Sequence, residues 1–303
     1  MSATSDSLPR SAHPLLPFLA AFAGVGLLSL MDAFMKEGAL ATGAYTATVL
    51  RSLIGAAIIA PFWLARRTAW PSRAVLKLHI ERGVISAFMA LSFFYALTKL
   101  PLAEAIAISF VAPLIALYFA RVFLGEEIRR AAIIATVLGF AGTLVIVGGR
   151  IGQGDFDRDV TLGLASLMFS AVLYAYNFVV IRKQSQLAGP VEVATFHSGI
   201  GGLVLLLFAP LLWTELQWPA LAPITAASVL TVTGAMAIAW AYARAQAQAL
   251  VPIEYSGFLW ASLFGWVFFR ETVTLTTLAG TALIIAGCWI AARRPTPGEP
   301  QEK

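Results

Sequence analysis

Nine side chains capable of contacting a solute stand inside otherwise apolar stretches: Asp32, Arg51, Tyr95, Ser109, Asn177, His197, Glu254, Tyr255 and Trp260. Glu254 lies seven residues after Ala247, where an apolar run begins. At the helical rise that places its carboxyl about 10 Å along the run. A carboxylate there could bind a cationic group or carry a proton, or be satisfied by neighbouring hydroxyl and backbone groups. Asp32 and Arg51 fall at comparable depths in two successive runs, so an ion pair is open to them. That pair reads as a polar contact or gate, as a structural pair, or as an arginine reaching for the headgroups. His197 suits a proton relay shared with Glu254, or a packed imidazole. Tyr95, Tyr255 and Trp260 offer rings with a polar tip that could line a cavity or simply pack. Three histidines and one cysteine cannot build an ordinary zinc site, and neither a catalytic nor a nucleotide-cradling motif is present. No metal, cofactor or catalytic residue is therefore expected.

The elements that must hold these groups are membrane helices. The chain is 59% hydrophobic and 12% charged, with a mean hydropathy of +0.81, far from the composition of soluble domains. Ten apolar runs are long enough to span a bilayer, near residues 15 to 35, 45 to 65, 82 to 98, 102 to 121, 131 to 149, 161 to 181, 193 to 213, 223 to 243, 247 to 267 and 273 to 292. They are continuously apolar rather than alternating, and in lipid each segment must satisfy its own backbone, so they are predicted to be helices. The fold class expected is an all-α polytopic membrane protein. Trp63, Trp213, Trp218 and Trp289 fall near run ends and read as an interfacial belt.

Basic residues set the expected orientation. With the N-terminus inside, the inner segments hold 15 lysines and arginines and the outer ones five (Lys36, Lys99, Arg150, Arg158 and Arg270), with Arg51 within a helix. Both termini are expected in the cytoplasm, residues 1–14 and 293–303 being tails. The net charge of +5 then belongs to the inner membrane surface and not to nucleic acid. Asp155, Asp157 and Asp159 in the connection at 150–160 lack the remaining ligands of a calcium loop and read as a solvated linker.

The sequence is written twice. Phe119, Val122, Phe123 and Glu126 recur 145 positions later (271 − 126) as Phe264, Val267, Phe268 and Glu271, and Thr136, Leu138, Ala141 and Gly142 recur as Thr281, Leu283, Ala286 and Gly287. Residues 15–149 and 161–292 thus form two repeats of five helices. Five is odd, so the copies enter the membrane with opposite polarity and the repeats are inverted. The same offset maps Asn177 onto Asp32, His197 onto Ser52 and Glu254 onto Ser109. Gly139, Gly142, Gly199, Gly201 and Gly202 are expected to allow close helix approach.

With Gly125-Glu126 echoed by Arg270-Glu271, and a fifth helix rich in small residues in each copy, the chain resembles the EamA branch of the drug/metabolite transporter superfamily over residues 15 to 293. Met31-Asp32-Ala33, Arg51-Ser52, Arg82-Gly83, Phe94-Tyr95-Ala96-Leu97, Leu100-Pro101-Leu102-Ala103-Glu104-Ala105 and Ile108-Ser109-Phe110 look like members described as S-adenosylmethionine or riboflavin carriers. The second copy departs from the pattern in having Arg270 where a glycine is usual. The resemblance implies an inner-membrane secondary carrier of a small polar organic metabolite, coupled to a proton or solute gradient and working by alternating access. A channel, or a scaffold or lipid-scrambling protein, is the alternative. The partners expected are the solute and the bilayer, with a homodimer left open.

Overall fold

The computed structural model describes residues 15–66, 70–124, 130–152, 157–184, 187–242, 244, 253 and 255–292. The described residues form α-helices and contain no strand. In the first repeat these are α1 (Leu16–Thr42), α2 (Ala44–Ala65), α3 (Arg73–Leu97), α4 (Leu102–Ser109), α5 (Ala112–Leu124) and α6 (Arg130–Gly152). In the second they are α7 (Arg158–Gln184), α8 (Pro190–Leu206), α9 (Ala209–Leu212), α10 (Leu221–Tyr242), α11 (Ser256–Phe269) and α12 (Leu275–Ala292). Five segments, Leu16–Thr42, Ala44–Ala65, Arg73–Leu97, Arg158–Ile181 and Trp218–Ile238, are each long and apolar enough to cross a membrane, and shorter apolar helices lie within the other expected runs.

Two expected spans are broken. The run at 102–121 divides into α4 and α5 at Phe110 and Val111, whose amides turn back to the carbonyls of Ala107 and Ile108. Pro113 explains the break: it has no N–H for the carbonyl of Ser109, so it is tolerated only in the first turn of a new helix. The run at 193–213 likewise ends as α8 at Leu206 and resumes as the short α9, where Pro210 supplies the same disruption. Other bounds extend beyond the apolar runs. α1 continues to Thr42, so Lys36 lies within a helix and not in an outer connection. α1 and α2 are joined by Gly43 alone, at φ 84°, a conformation that glycine adopts at little cost. Within the expected linker at 150–160, α6 runs to Gly152 and α7 starts at Arg158, its first turn capped by Asp157 Oδ1 accepting from the Val160 amide at 2.8 Å.

The packing has two-fold symmetry. α1 lies along α10 as α7 lies along α3, and α11 lies against α1 as α5 lies against α7. The repeat-equivalent helices α6 and α12 pack on each other, as do α2 and α8. Both of these pairs are antiparallel. A Cβ at Gly142 would meet the Gly280 carbonyl oxygen at 2.5 Å and Ile284, while one at Gly149 would meet Thr276, so rising numbers on α6 run against falling numbers on α12. On α2 and α8 the Tyr45 hydroxyl bonds the Leu205 carbonyl, and Gly55 faces Ser198. Equivalent helices that run in opposite directions are what inversion of the repeats requires. Gly142 also makes the close approach expected of it, whereas Gly199 faces open space.

Candidate functional site

Near the middle of the bundle, α2, α3, α8 and α10 enclose a cavity of about 40 Å³. It is lined by Arg51, Ser52 and Gly55 of α2, Ser86 and Ala87 of α3, His197, Ser198 and Gly201 of α8, and Ser228, Thr231 and Val232 of α10. Two of these helices come from each repeat. Subtracting 145 from Thr231, Val232 and His197 returns Ser86, Ala87 and Ser52, all of which line the same cavity, so the cavity sits on the pseudo-two-fold axis. His197 and Arg51 consequently share one chamber.

Arg51 is the dominant charge. Its guanidinium lies 5.2 Å from the centre of the Phe94 ring, its Nε is buried without a partner, and among the described residues it has no ion pair. Asp32 acts on Arg51 electrostatically but stands beyond the 4 Å of a direct pair. His197 feels both Arg51 and Arg82, and its Nδ1 is buried without a partner. Asn177 stands behind the wall, its Oδ1 accepting from the Ser86 hydroxyl at 3.5 Å. The hydroxyls of Ser52, Ser228 and Thr231 donate to carbonyls one turn back, Thr48, Ile224 and Ala227. Their remaining lone pairs stay available as acceptors.

The other expected contacts lie elsewhere. Ser109 Oγ donates to the Ala105 carbonyl at 2.8 Å on its own helix. Tyr255 meets Phe110 edge-on beside the α4–α5 break, at 5.4 Å between ring centres. Trp260 packs in the α1–α11 seam against Gly26, between Phe22 and Phe264, with its indole N–H buried and unpartnered. Tyr95 packs on the core near the end of α3. Glu254, and with it the suggested proton sharing with His197, lies outside the described residues. Trp63 is buried in a ring cluster with Trp70 and Phe196 and is not part of an interfacial belt, whereas Trp213, Trp218 and Trp289 are exposed.

Polar contacts close the bundle at both ends. At one end Glu271 receives the Lys36 ammonium and, at 2.7 Å, the first amide of α4 from Leu102; Lys36 also donates to the Leu100 carbonyl at 2.7 Å. Thr42 and Thr46 bond the backbone of residues 214–217 there. Lys99 reaches Asp159 at 2.7 Å, and this hydrogen bond holds its ammonium above the ordinary lysine range. At the opposite end a chain of hydrogen bonds runs from Arg82 Nη1 to Gln184 Oε1 (2.8 Å), from Gln184 Nε2 to His79 Nδ1 (2.7 Å) and on from His79 Nε2 to Glu192 (2.9 Å). An arginine only donates, which fixes the Gln184 amide; the amide N–H then makes Nδ1 of His79 an acceptor and its Nε2–H the donor to Glu192. His79 is fully buried and stacks on Phe196 with ring centres 4.5 Å apart.

An all-α bundle of two inverted repeats around a polar chamber is the architecture of membrane carriers. The chain belongs to the EamA-like transporter family, which it matches over residues 15–148 and 161–293. It is 28% identical over 289 residues to the pseudopaline exporter CntI of Pseudomonas aeruginosa, covering 94% of this chain and 96% of that one. A riboflavin transporter of Brucella anthropi is 27% identical over 222 residues, 69% of this chain and 73% of its own. The aromatic amino acid exporter YddG of Ancylobacter novellus is 29% identical over 135 residues, 43% and 46% of the two chains. A solved crystal structure shares the fold with a TM-score of 0.61 at 22% identity, covering 91% of this chain and 96% of its own.

Proposed function

We propose that the chain is a secondary transporter moving a small polar organic metabolite across the inner membrane by alternating access, with both termini cytoplasmic and a proton or solute gradient as the drive. The observation that supports this best is the cavity, built from repeat-equivalent positions on four helices. A chamber on the inversion axis can open toward either face through two arrangements of similar energy. Relatives named for the transport of pseudopaline, riboflavin and aromatic amino acids make a small metabolite the natural cargo. On this reading the Arg82–Gln184–His79–Glu192 chain closes the cytoplasmic side and the Lys36–Glu271 end closes the outer side. Glu254 is the proposed proton carrier.

The test is uptake of a metabolite extract, followed by mass spectrometry, into proteoliposomes holding the full chain with and without an imposed pH gradient. Saturable, gradient-dependent accumulation of a few solutes is expected, and Glu254→Gln should remove its dependence on the gradient. Flux that never saturates would favour a channel, and lipid flipping without solute uptake a scramblase.

A further inference from the structure

The cavity carries an asymmetry of charge that narrows the cargo, given the transport reading above. Arg51 brings five N–H donors in a planar fork matched to a carboxylate, and the Phe94 ring beside it backs the guanidinium. A charge in the bilayer interior is unfavourable unless a partner or a polar cavity receives it. Among the described residues Arg51 has no ion-pair partner: its Nε is buried and unsatisfied, and Asp32 is not in direct contact. The second buried orphan on the same wall is Nδ1 of His197. Ser198 lies on that wall too, and its hydroxyl has no hydrogen bond among the described residues.

Buried groups without partners therefore converge from α2 and α8, one helix from each repeat, on a single space: the Arg51 guanidinium, which only donates, and Nδ1 of His197, which donates in one tautomer of the ring. The Ser52 and Thr231 hydroxyls donate one turn back on their own helices and the Ser228 hydroxyl reaches the Ile224 and Arg51 carbonyls, so toward the chamber these oxygens act as acceptors. The space of about 40 Å³ is several times the roughly 10–15 Å³ that one water-sized probe needs. It suits a carboxylate head better than a whole metabolite.

We infer that Arg51, with His197 and Ser198, is the recognition site for a carboxylate group of the transported solute. The bidentate fork selects a planar oxyanion, and closure of α2 on α8 around that head excludes water from the contact. The acceptor oxygens, with Asp32 behind, supply a place for an ammonium or hydroxyl beside the carboxylate. Amino acids and plain organic acids thus share the chemistry recognised.

The experiment uses the same proteoliposomes and the same metabolite extract, offered untreated or after methyl esterification of its carboxyl groups. Wild-type chain is expected to accumulate carboxylate-bearing solutes from the untreated extract and to lose them after esterification. Arg51→Ala should lower their uptake by about 10- to 150-fold, the range of a charge-assisted hydrogen bond. Arg51→Lys should retain part of it, and Ser198→Ala should show a smaller loss. This series keeps the test open if Arg51→Ala does not fold. Amino acids among the accumulated solutes would place an ammonium near the acceptor wall, and plain acids would leave that wall to a hydroxyl; both support the carboxylate site. Accumulated solutes that survive esterification, or uptake unchanged in the Arg51 variants, would overturn the inference while leaving transport intact. Uptake no greater than in empty liposomes would overturn the transport reading itself.

Discussion

The two ends of the bundle are closed by different chemistry. Around Glu271 the contacts are made by permanent charges and backbone: an ammonium, a carboxylate, the first amide of α4 and the threonines of α1 and α2 against residues 214–217. Around His79 they pass through two neutral groups, an amide and an imidazole, between Arg82 and Glu192. A buried pair of opposite charges loses about 3–5 kcal/mol when one partner is removed, whereas removing a neutral amide from a hydrogen-bond chain leaves its neighbours unpaired at about 1–3 kcal/mol. On the proposed transport reading the first end is thus a frame and the second a latch whose opening costs less. The latch also reaches the cavity, because Arg82 acts electrostatically on His197.

The strongest way to break this contrast is at Lys36. Lys36→Met leaves the half-buried Glu271 carboxylate without its cation, and the expected loss is about 3–5 kcal/mol, read as a lower thermal midpoint of the purified chain. Adding Glu271→Gln removes the stranded charge and keeps an acceptor for the Leu102 amide, so the double variant should recover most of the loss. If the two substitutions simply add, the frame is not a coupled pair. At the other end Gln184→Leu orphans Arg82 and His79, a cost of about 1–3 kcal/mol. It should also raise maleimide labelling of a cysteine at position 198 from the latch side while labelling from the frame side stays unchanged. Equal gains from both sides would erase the distinction between frame and latch. The smallest effect is expected at Arg270, which caps α11 in the left-handed region at φ 56°. Left-handed geometry costs a non-glycine residue about 1–2 kcal/mol, and glycine returns part of that as chain entropy, so Arg270→Gly should stabilise the frame end by roughly 0.5–1 kcal/mol. A lower thermal midpoint would show that the arginine side chain, 5.8 Å from the Trp266 ring, contributes more than its backbone costs.

That arginine illustrates what the sequence reveals and what it hides. The resemblance expected glycine at 270, and the backbone gives the reason: the chain turns left-handed there, whichever residue occupies the place. Hydropathy and the 145-residue offset were enough for the helical class, the two repeats and their inversion. They did not show the break at Phe110, because a proline after one residue of new helix leaves the apolar run uninterrupted. Arg51 and His197 stood out as polar residues in apolar runs, yet their meeting depends on α2 packing antiparallel on α8. The serines and threonine of the cavity wall gave no hydropathy signal, since small hydroxyls bond back to their own helix and are tolerated in apolar sequence. Applied to every polar residue, the repeat offset would have paired Ser86 with Thr231 and drawn attention to both. The aromatic residues lie apart from the cavity wall: Tyr255 meets Phe110 at the α4–α5 break and Trp260 stands between Phe22 and Phe264.

Alternating access to the cavity is tested most directly by a single cysteine at Ala87, a wall position outside the proposed carboxylate contact, with Cys288 replaced by serine, in vesicles of known sidedness. An impermeant maleimide is applied to one face or the other, with and without a saturating concentration of a solute that the chain accumulates. Labelling from one face that falls, with a matching rise from the opposite face, when the solute is added is the predicted result. Labelling from both faces at once under a single condition, or from neither under any, would contradict it.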